Sequence, residues 1–308
     1  MENPPFFCYN LFMNKKLLHN KIIIGFQSKD EKEIIELLKQ YSFGGIIFFK
    51  KNIENLEHLK YMIYKIKDSF PARNLIFSID QEMGDINRIK EGLDNIPGGR
   101  EFFKIKDRKE RVQLASKLAK QLEYAGINMN FAPVADISLN ENDFMFNRCF
   151  GDNPKDVSVA IEDWINGFKK TKVKSVLKHF PGHGGTTVDS HKALPVKRIS
   201  LKEWENHDLI PFLKGIKAGA EGIMLAHIYL PEIDKLPVPV SPFFLNYLRD
   251  KIKYKGIIIS DDIEMEGFLN SGNLYENINF LVNSSINYII LGRNIKKELS
   301  EELKNILY

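Results

Sequence analysis

Residues 21–49 read KIIIGFQSKDEKEIIELLKQYSFGGIIFF, and the order of patterns in this stretch decides the fold. Residues 21–26 form an apolar, β-branched run without polar alternation, as expected of a strand covered on both faces of a parallel sheet. Ile34, Leu37, Leu38 and Tyr41 follow at helical spacing, with Ser28 and Glu31 ahead of them in capping-box relation. A short turn then leads into a second apolar run at 45–49.

Outward from this stretch the same unit recurs. Further strands are predicted at 75–79, 127–131, 174–177, 222–226, 256–260 and 287–291, and further helices at about 55–68, 106–125, 200–218, 241–252, 275–285 and 296–307. Another helix starts at Asn153 and Pro154, a cap followed by proline at the first helical position, with Val157, Ala160, Ile161, Trp164 and Phe168 on one face. Eight strand-then-helix units predict an α/β protein whose residues 1–308 form one (β/α)8 TIM-type barrel, with a doubly wound open sheet as the alternative. The loops after strands 3 to 6 are long and rich in Gly, Pro, His, Asp and Asn, which in a barrel puts the elaborate loops on the face where sites are built.

Composition narrows the class. The chain has 308 residues, 44% of them apolar and 27% charged, with a mean hydropathy of −0.26, so it reads as globular and not disordered. Apolar runs such as 46–49 and 257–259 are far too short to cross a bilayer. The start, MENPPFFCYNLFMNKK, lacks the basic-then-apolar order of an export signal, and two cysteines in so long a chain suit a reducing compartment. The expected location is therefore the cytoplasm. The net charge of +4 comes from 44 basic and 40 acidic residues mixed along the chain, without the basic stripe that nucleic acid requires. Neither nucleic acid nor membrane is an expected partner.

Polar groups gather at the predicted strand ends. Strand 3 runs into SIDQE with Asp80, strand 4 into FAPVAD with Asp136 and later Arg148, and strand 5 into KHFPGH with Lys178 and His179. Strand 6 leads to His227, strand 7 to Ser260, Asp261 and Asp262, and strand 8 to Arg293. The segment 178–195, KHFPGHGGTTVDSHKALP, holds three histidines and an Asp189-Ser190-His191 step. It admits three chemistries. His179 and His183 are four apart, as metal ligands on a helix would be, but Pro181 and Gly182 disfavour that helix. Ser190 could be a nucleophile, yet it lacks the G-x-S-x-G elbow. Asp189 could instead hold His191 and raise its basicity for proton transfer near neutral pH.

KHFPGHG followed by DSH and LP closely resembles the signature of bacterial β-N-acetylglucosaminidases of glycoside hydrolase family 3, the type that acts in peptidoglycan recycling. YKGIIISDDIEM at 254–265 resembles the nucleophile segment of that family, and SIDQE, FAPVADI, NRCFGDNP and AHI fall in its order. The resemblance implies that Asp261 is the nucleophile of a retaining exo-hydrolase, His191 its general acid/base and Asp189 the partner of His191. It also implies that Asp80, Arg88, Arg148, Lys178 and His179 bind a terminal N-acetylglucosamine of a muropeptide substrate, with no metal and no cofactor. Asp262 reads as a cap or loop acceptor. Branches acting on plain glucosides take their acid from a second domain, whereas the histidine loop is present here. The family usually reads DQEGGRV where this chain has Asp80-Gln81-Glu82-Met83-Gly84-Asp85-Ile86, which predicts a changed loop beside two binding residues. Two alternatives stand beside hydrolysis. A histidine acid leaves the site less negative than a carboxylate would, so phosphate could replace water in a phosphorylase, and the altered 83–85 loop could mark a catalytically weak amino-sugar-binding protein.

Overall fold

The computed structural model describes residues 14–141, 143, 145–186, 193–292 and 305–306. Its eight strands are β1 (Ile22–Ile24), β2 (Gly45–Phe48), β3 (Ile76–Ile79), β4 (Met129–Asn130), β5 (Lys174–Phe180), β6 (Gly222–Leu225), β7 (Ile257–Asp262) and β8 (Tyr288–Leu291). All neighbours pair in parallel, and β8 returns to β1 with Ile290 opposite Ile23, so the sheet closes in the order β1 to β8. That last pairing decides for the (β/α)8 barrel over the open sheet.

Two apolar layers follow from the period-two alternation of side chains along each strand. Ile23, Ile47, Met129, Phe131, Val176, Met224, Ile259 and Ile290 point inward and fill the barrel. Their neighbours, among them Ile22, Ile46, Phe77, Leu177, Ile223, Ile258 and Ile289, face the helices in one continuous outer core. Both faces are apolar, which is why the strands show no polar alternation in the sequence. The helix from Pro154 to Phe168 is capped as expected, with the Asn153 side chain accepting from the Asp156 N–H.

Several boundaries differ from the sequence reading, each for a local reason. The helix Glu31–Gln40 is capped by Asp30, not by a Ser28/Glu31 box, because Asp30 is adjacent and its carboxylate accepts from the Lys32 N–H. Glu33, not Glu31, reaches back, to the N–H groups of Gln27 and Ser28. The expected helix over 200–218 breaks at His207 into Leu201–Asn206 and Leu209–Ala218. β4 is only two residues long, since the Asn128 side chain takes over pairing with the Phe77 N–H and Leu75 carbonyl. β5 and β7 run further than expected, so Lys178, His179, Asp261 and Asp262 lie on strands and not in loops. The helix expected at 296–307 falls almost wholly outside the described residues. No helix among the described residues is long and apolar enough to cross a membrane.

Candidate active site

Strand ends set the site. Asp80 follows the last residue of β3, Lys178 and His179 lie near the end of β5, and Asp261 is the penultimate residue of β7. Together with Arg88 and Arg148 from the long loops after β3 and β4, they line one cavity of about 250 Å³, which Glu82, Ile86, Met145, His183, Met224 and Met265 complete. This is smaller than the roughly 300–1,000 Å³ of drug-sized pockets, and it suits a single ring-sized polar ligand. Six of the eight expected site residues therefore meet. Asp189 and His191, like Arg293, lie outside the described residues.

The binding wall is an ion network. The Lys178 ammonium donates to Asp80 Oδ1 at 2.8 Å and lies 2.5 Å from Glu82 Oε1. Arg148 holds Glu82 with two parallel bonds, Nε to Oε2 at 2.9 Å and Nη2 to Oε1 at 2.7 Å. Arg88 Nη2 sits 3.4 Å from Asp80 Oδ2. Burial pushes the Glu82 carboxyl up, but Arg148 and Lys178 overcome it and hold it well below the usual range. A buried carboxylate shared by two cations is held in one geometry. Asp80 keeps free lone pairs for ligand hydroxyls after accepting from Lys178 and Arg88.

Asp136, buried at the end of the FAPVAD segment, organises the histidine strand. It accepts from the backbone N–H of His179 at 3.1 Å and of His183 at 2.6 Å, and its Oδ2 lies 2.7 Å from His179 Nδ1. The last bond puts the hydrogen on Nδ1, so Nε2 can face Arg148 Nη2 at 3.4 Å. His183 is lowered to about 4, first by burial and then by His179. No cluster of three or more metal-ligating side chains occurs among the described residues.

Asp261 lines the same cavity, its Oδ1 accepting from the Asp262 N–H at 2.8 Å. Burial pushes its carboxyl up, but His227, His179, the Asp262 N–H and Lys178 outweigh burial and leave it below its ordinary value. Asp261 is thus an ionised, oriented carboxylate. Asp262 is the loop acceptor the sequence predicted. Its Oδ1 takes the N–H groups of Glu264 and Gly292 at 3.0 and 3.1 Å, and burial with the nearby Glu264 raises it to about 7.

Two residues of this constellation had no role in the sequence reading. Glu82 was legible only as part of SIDQE, and its pairing with Arg148 spans 66 residues, beyond any local spacing rule. Asp136 was visible as a strand-end acid, but its hold on two backbone amides was not. In the altered 83–85 loop Met83 adopts a left-handed φ of 66°, and Gln81 ties the loop by accepting from the Arg88 and Ile89 N–H groups. Asp85 is exposed, and Arg88 still reaches the cavity.

The sequence pattern of the glycosyl hydrolase family 3 N-terminal domain matches residues 13–307. The chain belongs to glycosyl hydrolase family 3. It is 34% identical over 292 residues to a beta-hexosaminidase of Neisseria meningitidis, spanning 92% of this chain and 80% of that protein. A beta-hexosaminidase of Idiomarina loihiensis is 34% identical over 78% of this chain and 73% of its own length. Among solved structures, NagZ from Neisseria gonorrhoeae in complex with N-trifluoroacetyl-D-glucosamine superposes with a TM-score of 0.80 at 32% identity, covering 92% of this chain and 84% of that one. A family 3 β-N-acetylglucosaminidase from Paenibacillus gives a TM-score of 0.87 at 27% identity over 96% of this chain, which spans 57% of that longer protein. This family 3 glycoside hydrolase thus shares its barrel with relatives that bear hexosaminidase names.

Proposed function

We propose that this chain is a cytoplasmic, retaining exo-β-N-acetylglucosaminidase, a single catalytic domain that releases terminal N-acetylglucosamine from peptidoglycan-derived muropeptides. The observation that carries the reading is that the ionised Asp261 lines, together with Asp80, Arg88, Arg148, Lys178 and His179, one cavity of about the size of a sugar. Sugar hydroxyls are bound best by charged donors and acceptors fixed in advance. The hexosaminidase relatives support the N-acetylated sugar, and a cavity with room for one ring-sized ligand supports attack on a terminal unit.

In this reading Asp261 attacks the anomeric carbon as the glycosidic bond breaks. His191, oriented by Asp189, protonates the departing oxygen, and then removes a proton from the water that cleaves the glycosyl ester. Two carboxyl groups are the usual retaining pair, so a histidine acid departs from that pattern. Incubation with an aryl β-N-acetylglucosaminide and an aryl β-glucoside tests the assignment. The first substrate turns over in phosphate-free buffer and the second does not. Turnover of neither at neutral pH, or turnover only with phosphate present, contradicts it.

A further inference from the structure

Beside the nucleophile segment lies a buried imidazole whose hydrogen bond the wall and the mechanism do not use. His227, fully buried two residues beyond the end of β6, packs its ring 5.2 Å from that of Phe268. Its Nε2 lies 2.9 Å from the backbone carbonyl of Asp262. A carbonyl only accepts, so Nε2 carries the hydrogen and donates. Burial lowers the imidazole below its ordinary value although Asp261 favours the charged ring, so the ring is neutral near pH 7 and Nδ1 is bare. Among the described residues Nδ1 has no hydrogen-bond partner. The same carbonyl also accepts from the Met265 N–H at 3.1 Å, so the imidazole adds a side-chain tie to a carbonyl already held by the backbone.

That carbonyl belongs to the residue whose own N–H holds Asp261 Oδ1 at 2.8 Å. The side chain of the same residue is tied to the N–H groups of Glu264 and Gly292. Asp262 is therefore fixed at its amide, its carbonyl and its carboxyl, and its amide sets where one oxygen of Asp261 lies. β7 needs such a tie here, because its pairing with β8 changes register between Ile259 and Asp262. We propose that His227 is a positioning residue: by donating to the Asp262 carbonyl it holds the Asp262 N–H on Asp261 Oδ1 and leaves the other oxygen aimed at the anomeric carbon. The inference rests on the reading of Asp261 as nucleophile.

Replacing His227 by Gln, Asn and Ala separates positioning from packing. A Gln amide nitrogen reaches the place of Nε2, whereas an Asn amide reaches only that of Nδ1. First-turnover glycosylation should stay within about threefold of the parent for His227→Gln and fall roughly 10- to 100-fold for His227→Asn and His227→Ala, the scale of a nucleophile misplaced by a fraction of an ångström to an ångström. The loss should be equal on nitrophenyl and sugar aglycones, since the acid is untouched, and N-acetylglucosamine should bind each variant within about twofold of the parent. With the Asp262 N–H bond weakened, the acid limb of kcat/KM should move to higher pH in the Asn and Ala variants and not in the Gln variant. Equal activity of the Gln and Asn variants, or losses in sugar binding that match the losses in rate, would overturn the proposal. Retained activity in Asp261→Asn would instead remove the nucleophile reading itself, whatever the His227 variants do.

Discussion

Asp261 and Asp262 are neighbours of one residue type with opposite environments, and the difference is the strongest information at residue scale. The first is held ionised by cationic and N–H neighbours, the second is raised to about 7 by burial and Glu264. The sequence reading separated them by resemblance, Asp261 as the expected nucleophile and Asp262 as a cap or loop acceptor, and the three-dimensional neighbours give their environments a physical cause. For Asp262 the folded state holds its proton more tightly than an unfolded aspartate of pKa about 3.9. Below about pH 4 both states are protonated and nothing is lost; as pH rises toward 7 the unfolded chain ionises first and folding loses stability, and above 7 the loss is constant. An Asn side-chain oxygen can accept the same two N–H bonds. Asp262→Asn should therefore melt with the parent near pH 4, progressively above it as pH rises to about 7, and by a constant margin beyond, with turnover reduced no more than a few-fold. Thermal melts across pH 4–9 check this, and a stability difference flat with pH would refute the buried, proton-holding carboxyl.

At the scale of elements, the eight strands were readable because a strand buried on both faces leaves an uninterrupted apolar run. Their ends were not, because ends are set by side chains acting as backbone: Asn128 shortens β4 and Asp136 fixes the histidines at the end of β5. The site followed the same rule. Asp80, Arg148, Lys178, His179 and Asp261 were named from strand ends and Arg88 from the family resemblance, whereas the roles of Glu82 and Asp136 rest on contacts made only on folding. The loop after β5 carries the element-scale prediction. Its base is pinned where the Lys197 ammonium donates to the Gly184 carbonyl at 2.7 Å and to Asp208 Oδ1 at 2.8 Å. General acid/base assistance is worth roughly 10² to 10⁴ in rate and matters most for a basic leaving group. His191→Ala should slow first-turnover glycosylation severely with a sugar aglycone and much less with a nitrophenyl aglycone, and Asp189→Ala should show the same trend more mildly. Equal losses on the two aglycones would show that His191 is not the acid.

For the whole molecule, closure of β8 onto β1 converts separate strand ends into one mouth, and it depends on two glycines at the seam. Gly25 donates to the Leu291 carbonyl at 2.8 Å, and a Cβ on Gly25 would stand 1.8 Å from the Gly292 carbonyl oxygen. Gly25→Ala forces the seam apart, and by the usual scale of overpacking it should destabilise the fold by roughly 1–3 kcal/mol or more; denaturant unfolding with an unchanged midpoint would show that the seam yields freely. Because Gly292 also donates to Asp262, the strained seam should lower the rate of glycosylation as well. The account as a whole stands on the carboxylate at the end of β7. Reaction with an activated fluoro-N-acetylglucosaminide, whose fluorine slows hydrolysis of the glycosyl ester, followed by proteolysis and mass spectrometry, tests it most directly. The predicted result is one sugar esterified to Asp261, absent in Asp261→Asn, which should also lose turnover of every substrate. No covalent adduct, with an α-configured first product, or an adduct on any other residue would contradict it.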